Sequence, residues 1–233
     1  YGIAWLYLAT TISIIFVYET LQANQAQKQR WKEMELEQSR TAIILSQGQP
    51  HFLYNVLLGI KQLCDSNPKK ASEALEHLAF YMRRNLNSLT RKQLIPFDEE
   101  MCHVNDYLYL EKMRFEEKLT VVLDLEYTDF FLPAMTVQPI AENAVRWGIT
   151  KKKGGGTLTI KSQLTGEEVM ISVMDDGAGF DPNEIRNDGK THVGIENVRQ
   201  RLMLQCGGTL SISSKKGSGT TVTIRLPQKG RNK

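Results

Sequence analysis

The sequence predicts an α+β protein, with helices in its first half and an α/β sandwich in its second. Apolar residues recur at helical spacing up to about residue 117, whereas strand-like alternation broken by Gly- and Asp-containing turns dominates from residue 118 onward. Of the 233 residues, 41% are hydrophobic and 24% are charged, which is the balance of a globular protein with a substantial core. This length suggests one or two domains.

Net charge and cysteine content argue against several classes of function. The net charge is only +3 and the basic residues are not gathered in one block, so we expect no direct nucleic-acid partner. The three cysteines are far apart and form no CxxC motif. This pattern argues against a metal cluster and a disulfide framework, and it suits a reducing compartment.

Residues 1–18 carry no charge and predict the end of a transmembrane helix. A spanning helix needs about 20 apolar residues, and because the sequence starts at Tyr1 we expect the rest of the span to lie upstream. A buried core helix and a signal peptide are the alternatives, but a signal peptide would have a basic leader and a small-residue cleavage site. Basic residues follow the run and place the rest of the chain on the cytoplasmic side; they are Lys28, Arg30, Lys32 and Arg40.

Residues 19–46 predict a linker or signalling helix, because they contain neither Pro nor Gly. The apolar stripe of this segment is sufficient for a coiled coil, although it is not a clean heptad repeat. A solvated linker helix is the alternative.

A histidine-bearing helix is expected from residue 47 onward. Pro50 suits a first helical turn, where its missing N–H costs nothing. His51 and Asn55 are four residues apart and therefore share a helix face. A neutral imidazole is a competent phosphoryl acceptor, and the Asn55 amide could orient a water for the reverse hydrolysis. Taken alone, a histidine at this spacing is more often a packing or capping residue.

Two further helices are expected at about 71–89 and 98–116, and a turn at 65–68 precedes the first of them. Two antiparallel helices bury only one face each, so a dimer that forms a four-helix bundle would cover the remainder. We therefore predict a helical dimerisation and phosphoacceptor domain over residues 47–117.

Residues 118–228 predict the sandwich domain, and 229–233 a tail. A strand at 118–126 and a helix at about 136–148 are followed by a hairpin that turns at Thr165-Gly166. A helix over 194–206 ends at two glycines, and a second hairpin closes the domain. We expect a largely antiparallel sheet with helices on one face.

Chemistry is expected first on the helix at about 136–148. Asn143 offers an amide oxygen to a hard cation such as Mg²⁺, which takes few protein ligands. Arg146, three residues on, could meet phosphate oxygens.

Two more groups of residues point to the same chemistry. Asp175 ends a hydrophobic strand and can accept a hydrogen bond from an exocyclic amine, while Gly177 and Gly179 allow the backbone to approach a base closely. Gly194 opens a helix that carries Asn197 one turn later, and a helix N-terminus attracts phosphate. Each group alone is weak evidence for a nucleotide site, but the order and spacing of the three groups together are specific.

Over residues 47–227 the chain resembles the LytS/YesM-type family of bacterial sensor histidine kinases. The motifs that carry the resemblance are PHFLYN, RRNL, YLYLEKMRFEEKL, VQPIAENAVRWGI, DDGAGF, GIENVRQRL and GSGTTVTIRLP. The resemblance implies a homodimer at the cytoplasmic membrane that uses ATP and Mg²⁺ to phosphorylate His51. The phosphoryl group then passes to an Asp of a response regulator, with LytTR- or AraC-type output.

The resemblance also implies roles for individual residues in a Bergerat-type ATP-binding fold. Asn143 would be the Mg²⁺ ligand and Asp175 the adenine contact, and residues 180–193 would form a lid. The nucleotide would be framed by Gly177, Gly179, Gly194 and Thr220.

Three positions depart from patterns seen among histidine kinases. Trp147 occupies a place where this family usually has His, and His192 replaces the first glycine of the second glycine motif. Other histidine-kinase families have an acid directly after the histidine. This chain has Phe52 there, as does the family it resembles, so no base follows His51. Glu142 is therefore the candidate base.

Three other classes of protein share parts of this pattern. A gyrase- or Hsp90-type ATP hydrolase would need a Glu four residues before Asn143, where this chain has Pro139. A serine/threonine kinase of the anti-sigma type would lack the histidine-bearing helices. A degenerate, non-catalytic nucleotide-binding module stays open because of Trp147 and His192.

Overall fold

The computed structural model describes residues 50–88, 93–181 and 193–228. The chain divides into two units, residues 1–54 and 55–233, and only residues 50–54 of the first unit are described. The predicted transmembrane helix at 1–18, the linker helix at 19–46 and the tail at 229–233 lie outside the described residues. Within the described ranges, no helix is both long and apolar enough to cross a membrane.

The predicted helix pair is present as α1, Pro50–Ser66, and α2, Pro68–Ser88. Asn67 separates them and caps α2, because its side-chain oxygen accepts the backbone N–H of Lys70 at 3.1 Å. Pro68 follows at the first helical position, where no N–H is needed. The turn therefore lies where the sequence predicted it.

The third helix, α3, covers Phe97–Phe115 and packs along α2. Immediately before it, the short strand β1, Leu94–Pro96, pairs antiparallel with β3, Phe131–Pro133. Neither three-residue strand was predicted, because such short segments show no periodicity. This pairing crosses the predicted domain boundary at 117/118.

A five-stranded sheet forms the second half of the chain. Its strands are β2 Leu119–Leu125, β4 Gly156–Thr165, β5 Glu168–Asp175, β6 Thr209–Lys215 and β7 Gly219–Pro227. They lie in the order β2-β4-β5-β7-β6, and every neighbouring pair is antiparallel except β2 and β4. The predicted α+β class and the largely antiparallel sheet are confirmed.

Side chains alternate across the sheet, so that one face is buried and the other is more open. Ile160 and Val173 are paired across β4 and β5, and Val173 is also paired with Val222 on β7. All three are buried, as are the other inward positions of the central strands: Leu158, Val169, Ile171, Ile224 and Leu226.

Helices cover the buried face. The predicted helix at 136–148 is divided into α4, Gln138–Asn143, and a π-helical turn, Ala144–Gly148, followed by a 3₁₀ turn, Ile149–Lys151. A π turn widens the helix locally and is common at functional sites; here it brings the backbone of Gly148 against Asp175. The last helix, α5, is Val193–Cys206.

Candidate nucleotide-binding site

A cavity of about 220 Å³ opens between the α4 segment, α5 and the sheet. Five apolar side chains, each from a different helix or strand, form much of its wall: Ile140, Val173, Ile195, Ile212 and Val222. Four of the predicted nucleotide-site residues also line it: Asn143, Asp175, Gly179 and Thr220. The fold thus gathers residues from three separate sequence motifs around one space.

Asp175 provides a buried carboxylate in this cavity. It ends β5, where it pairs with Thr220 of β7, and it is 8% exposed. Its Oδ1 accepts the backbone N–H of Gly177 at 2.9 Å. Burial raises the pKa of Asp175, while hydrogen bonds from Gly177 and Thr220 act in the opposite direction. A carboxylate oxygen in a mostly apolar wall suits an exocyclic amine.

Glycines allow the backbone to pass very close to Asp175. A Cβ on Gly148 would lie 2.3 Å from Oδ1 of Asp175, and a Cβ on Gly177 would lie 2.2 Å from the carbonyl carbon of Gly148. Gly219 has φ +91°, and a Cβ there would lie 1.9 Å from the backbone oxygen of Asp175. Because a Cβ at any of these places would displace its neighbours, the three glycines allow the backbone to pack directly against Asp175.

Asn143 and Glu142 are consecutive but have different surroundings. Asn143 lines the cavity. The Glu142 carboxylate accepts hydrogen bonds from Nε2 of Gln138 at 2.8 Å and from the hydroxyl of Tyr81, on α2, at 3.3 Å. Burial raises the pKa of Glu142, although these hydrogen bonds and the charge of Arg146 lower it. Glu142 is not part of the cavity wall that the described residues form.

Arg146 is exposed and stacks on Trp147. Its guanidinium carbon is 4.7 Å from the indole centroid, and Nζ of Lys151 is 5.6 Å from the same ring. Trp147 lines the cavity, but Arg146 is not part of the wall that the described residues form. The site therefore has cations beside its aromatic wall.

The second glycine motif is less involved than predicted. Gly194 and Asn197 are exposed near the start of α5 and, within the described part of the chain, lie outside the cavity wall, whereas Ile195 lines it. Of the predicted lid at 180–193, residues 182–192 lie outside the described ranges. Phe180 lines the cavity, and its N–H donates to Oγ of Ser214 at 2.9 Å.

A buried carboxylate holds the start of α4. Glu100, on α3, is fully buried and accepts the backbone N–H groups of Met135, Val137 and Gln138 at 2.9, 2.8 and 3.1 Å. Burial raises the pKa of Glu100, and the backbone hydrogen bonds oppose that rise. Arg201 of α5 donates to the carbonyl oxygen of Met135. The segment before α4 is thus tied to both α3 and α5.

The predicted phosphoacceptor helix is α1. His51 lies next to the helix start and is exposed, and Asn55 is partly buried one turn later.

The cavity fits an adenine nucleotide, because a buried carboxylate, an apolar wall and a glycine-lined approach meet in it. The described ranges contain no group of three or more His, Cys, Asp or Glu side chains placed to hold a metal ion. The predicted Mg²⁺ ligand, the amide of Asn143, lines the cavity. One neutral oxygen suits Mg²⁺ that is bound mainly by phosphate oxygens and water.

Several site residues were not predicted from the sequence. Gly148, Gly219 and Ser214 surround Asp175 or Thr220, and Glu100 orders the approach to α4. The Gly-Ser-Gly turn at 217–219 was a signal for Gly219, since such turns use positive φ. No local signal identifies Glu100, because its partners are 35 to 38 residues away.

Two family models match the chain. Residues 39–119 match the model described as histidine kinase, and residues 132–230 match histidine kinase-, DNA gyrase B- and HSP90-like ATPase. The second half of the chain is therefore an ATP-binding domain of that type.

Known proteins from Bacillus subtilis (strain 168) are similar over most of the chain. The uncharacterised protein YwpD is 39% identical over 192 residues, which are 79% of this chain and 69% of YwpD. The sensor histidine kinase YesM is 30% identical over 84% of this chain and 34% of its own length. The sensor protein LytS is 31% identical over 82% of this chain and 34% of its own length. This chain thus spans about a third of the length of YesM and LytS.

Proposed function

Because this chain belongs to the LytS/YesM-type family of bacterial sensor histidine kinases, we propose that it transfers the γ-phosphoryl group of ATP to its own His51. The observation that carries this proposal is the cavity, where Asn143, Asp175 and Thr220 converge from distant parts of the sequence. Sensor histidine kinases act in two-component systems, so the phosphoryl group then passes to an Asp of a response regulator.

In this proposal the adenine ring lies in the apolar part of the cavity and its exocyclic amine donates to Asp175. Gly177 and Gly179 let the backbone approach the base, and Thr220 supports Asp175 through the hydrogen bonds of the β5–β7 pair. The phosphates extend toward Asn143. Arg146, beside Trp147, and the start of α5 with Gly194 and Asn197 are candidates for phosphate contacts outside the cavity wall.

Mg²⁺, when bound, neutralises charge on the transferring phosphoryl group. Asn143 would hold it through its amide oxygen. This chain's own residues then act mainly by positioning, because phosphoryl transfer demands alignment rather than covalent help from the protein.

The nucleophile is a ring nitrogen of His51, which lies on the exposed start of α1. The nitrogen forms a bond to the γ-phosphorus while the bond to the departing ADP oxygen breaks. The transfer occurs within one chain or across a dimer. Glu142 is the candidate base, but its carboxylate would first have to leave Tyr81 and Gln138. A neutral imidazole has less need of a base than a hydroxyl does.

A homodimer is proposed through α1 and α2. Both helices expose large apolar side chains that a second copy could cover: Leu57, Leu58, Leu75, Phe80 and Met82. We also propose a location at the cytoplasmic membrane with the catalytic part on the cytoplasmic side. The response regulator would carry a LytTR- or AraC-type output domain.

The test is incubation of the protein with γ-labelled ATP and Mg²⁺. We expect acid-labile, alkali-stable label on the wild type and none on His51→Ala, while His77→Gln, on α2, should keep its label. Nucleotide binding without any label would favour a non-catalytic nucleotide-binding module instead.

Asn55 is proposed to serve the opposing phosphatase step. Asn55→Ala should autophosphorylate normally but dephosphorylate the response regulator more slowly. Equal loss of both reactions would remove this role.

A further inference from the structure

The helix that carries Asn143 is attached to α2 through its preceding residue. Glu142 accepts the hydroxyl of Tyr81 at 3.3 Å, and Nε2 of Gln138 donates both to Glu142 at 2.8 Å and to Oδ1 of Asn85 at 3.0 Å. Tyr81 is 6% exposed and Gln138 is fully buried. Asn85 and Glu142 are partly exposed. The two helices thus share a hydrogen-bonded cluster whose central members, Tyr81 and Gln138, are closed to water.

A carboxyl group in such a place depends on its partners, because a polar group that loses a buried hydrogen bond must find water or another partner. Glu142 is one residue from Asn143, so a rotation that takes the Glu142 carboxylate to water also turns Asn143. α4 has only six residues before the π turn, and a helix this short takes its orientation from tertiary contacts.

On this basis we propose that Tyr81 and Asn85 are positioning residues for Asn143, so that the docking of α2 on α4 sets the Mg²⁺-dependent part of ATP affinity. This inference rests on the proposed function, in which Asn143 holds the metal. It goes further because it links that role to α2. This helix directly follows α1, which carries His51. A displacement of α2 would then weaken Mg²⁺-ATP binding without any change in the wall around Asp175.

The test measures the affinity of the full chain for ATP, with Mg²⁺ and with excess EDTA, by equilibrium binding. The dissociation constant in EDTA divided by that in Mg²⁺ is the metal-dependent gain in ATP affinity. In Tyr81→Phe we expect this gain to fall about tenfold, the effect of leaving one buried hydrogen-bond partner unsatisfied. The affinity in EDTA should stay within about twofold, because Asp175 is untouched.

Tyr109→Phe is the matched control. The Tyr109 hydroxyl, on α3, donates to Glu73 of α2 at 3.2 Å, so this variant loses the same kind of bond at the same helix without touching α4. It should keep the full metal-dependent gain.

Three results would overturn the inference. They are an unchanged metal-dependent gain in Tyr81→Phe, an equal loss with and without Mg²⁺, and an equal loss in Tyr109→Phe. Binding is measured apart from phosphorylation, so a protein that fails to label His51 still answers this question.

Discussion

Gly148→Ala tests the geometry of the nucleotide site most directly. Gly148 lies in the π turn with φ −88°, a conformation open to alanine, so the backbone itself does not forbid the change. The added Cβ, however, would lie 2.3 Å from Oδ1 and 2.7 Å from Cγ of Asp175. The substitution therefore acts through the carboxylate that we assign to adenine.

The size of the effect follows from these distances. Ordinary contacts of a Cβ begin at 3.4 Å, so the Asp175 carboxylate must move by about 1 Å. Oδ1 already accepts the Gly177 N–H at 2.9 Å, and a shift of this size breaks that bond or the bond to the adenine amine. A hydrogen bond to a charged group contributes about 1.5–3 kcal/mol, so ATP affinity should fall roughly 10- to 100-fold.

Isothermal titration with ATP measures the effect, and Gly154→Ala is the control. A Cβ on Gly154 would meet nothing within 4 Å, and this variant should bind ATP like the wild type. Urea unfolding of both variants separates a lost site from a lost fold, since overpacking alone costs about 1–3 kcal/mol. Wild-type affinity in a folded Gly148→Ala protein would refute the assignment of Asp175 to adenine.

Two predictions concern stability. Burial raises the pKa of Glu111 from 4.5 to about 7, despite the opposing effects of Arg114 and Tyr107. The Glu111 carboxyl group therefore loses its proton at lower pH in the unfolded chain than in the folded chain. As pH rises from about 4.5 to 7, the free energy of unfolding should fall by up to about 3 kcal/mol. Glu111→Gln should reduce that slope in urea unfolding. Glu100→Ala should cost about 3 kcal/mol or more, because it leaves three backbone N–H groups without their acceptor.

Neighbouring variants provide the controls. Asp98→Ala removes an exposed acid from the first turn of α3 and should cost less than about 1 kcal/mol. A similar loss in Glu100→Ala would contradict the capping role of Glu100. If the free energy of unfolding of Glu111→Gln changed with pH as it does in the wild type, the pH dependence would belong to the other buried carboxyl groups, Glu100, Glu142 and Asp175.

Periodicity and breaker residues located the main described elements. Helices and strands long enough to repeat their pattern were predicted to within a few residues, as for α3 and the β4–β5 hairpin. The short strands β1 and β3 were missed, and the helix at 136–148 was predicted as continuous. In those places pairing and packing between distant segments decide the conformation.

The candidate site shows the same contrast between what the sequence predicted and what only the fold revealed. The residues themselves pointed to Asn143, Asp175 and Gly179, the family resemblance added Thr220, and all four line the cavity. The sequence could not show that Glu142 faces α2 rather than the cavity, since one residue on a helix turns the side chain by about 100°.

The sequence by itself determined the class of protein, the histidine-bearing helix and the residue types that we assign to an adenine-nucleotide site. The tertiary structure decided which of those residues share one space, and it added Gly148, Gly219 and Glu100. The reason is physical. Motifs record what a residue and its near neighbours can do, whereas close approach, burial and hydrogen bonds across 35 or more residues exist only once the chain has folded.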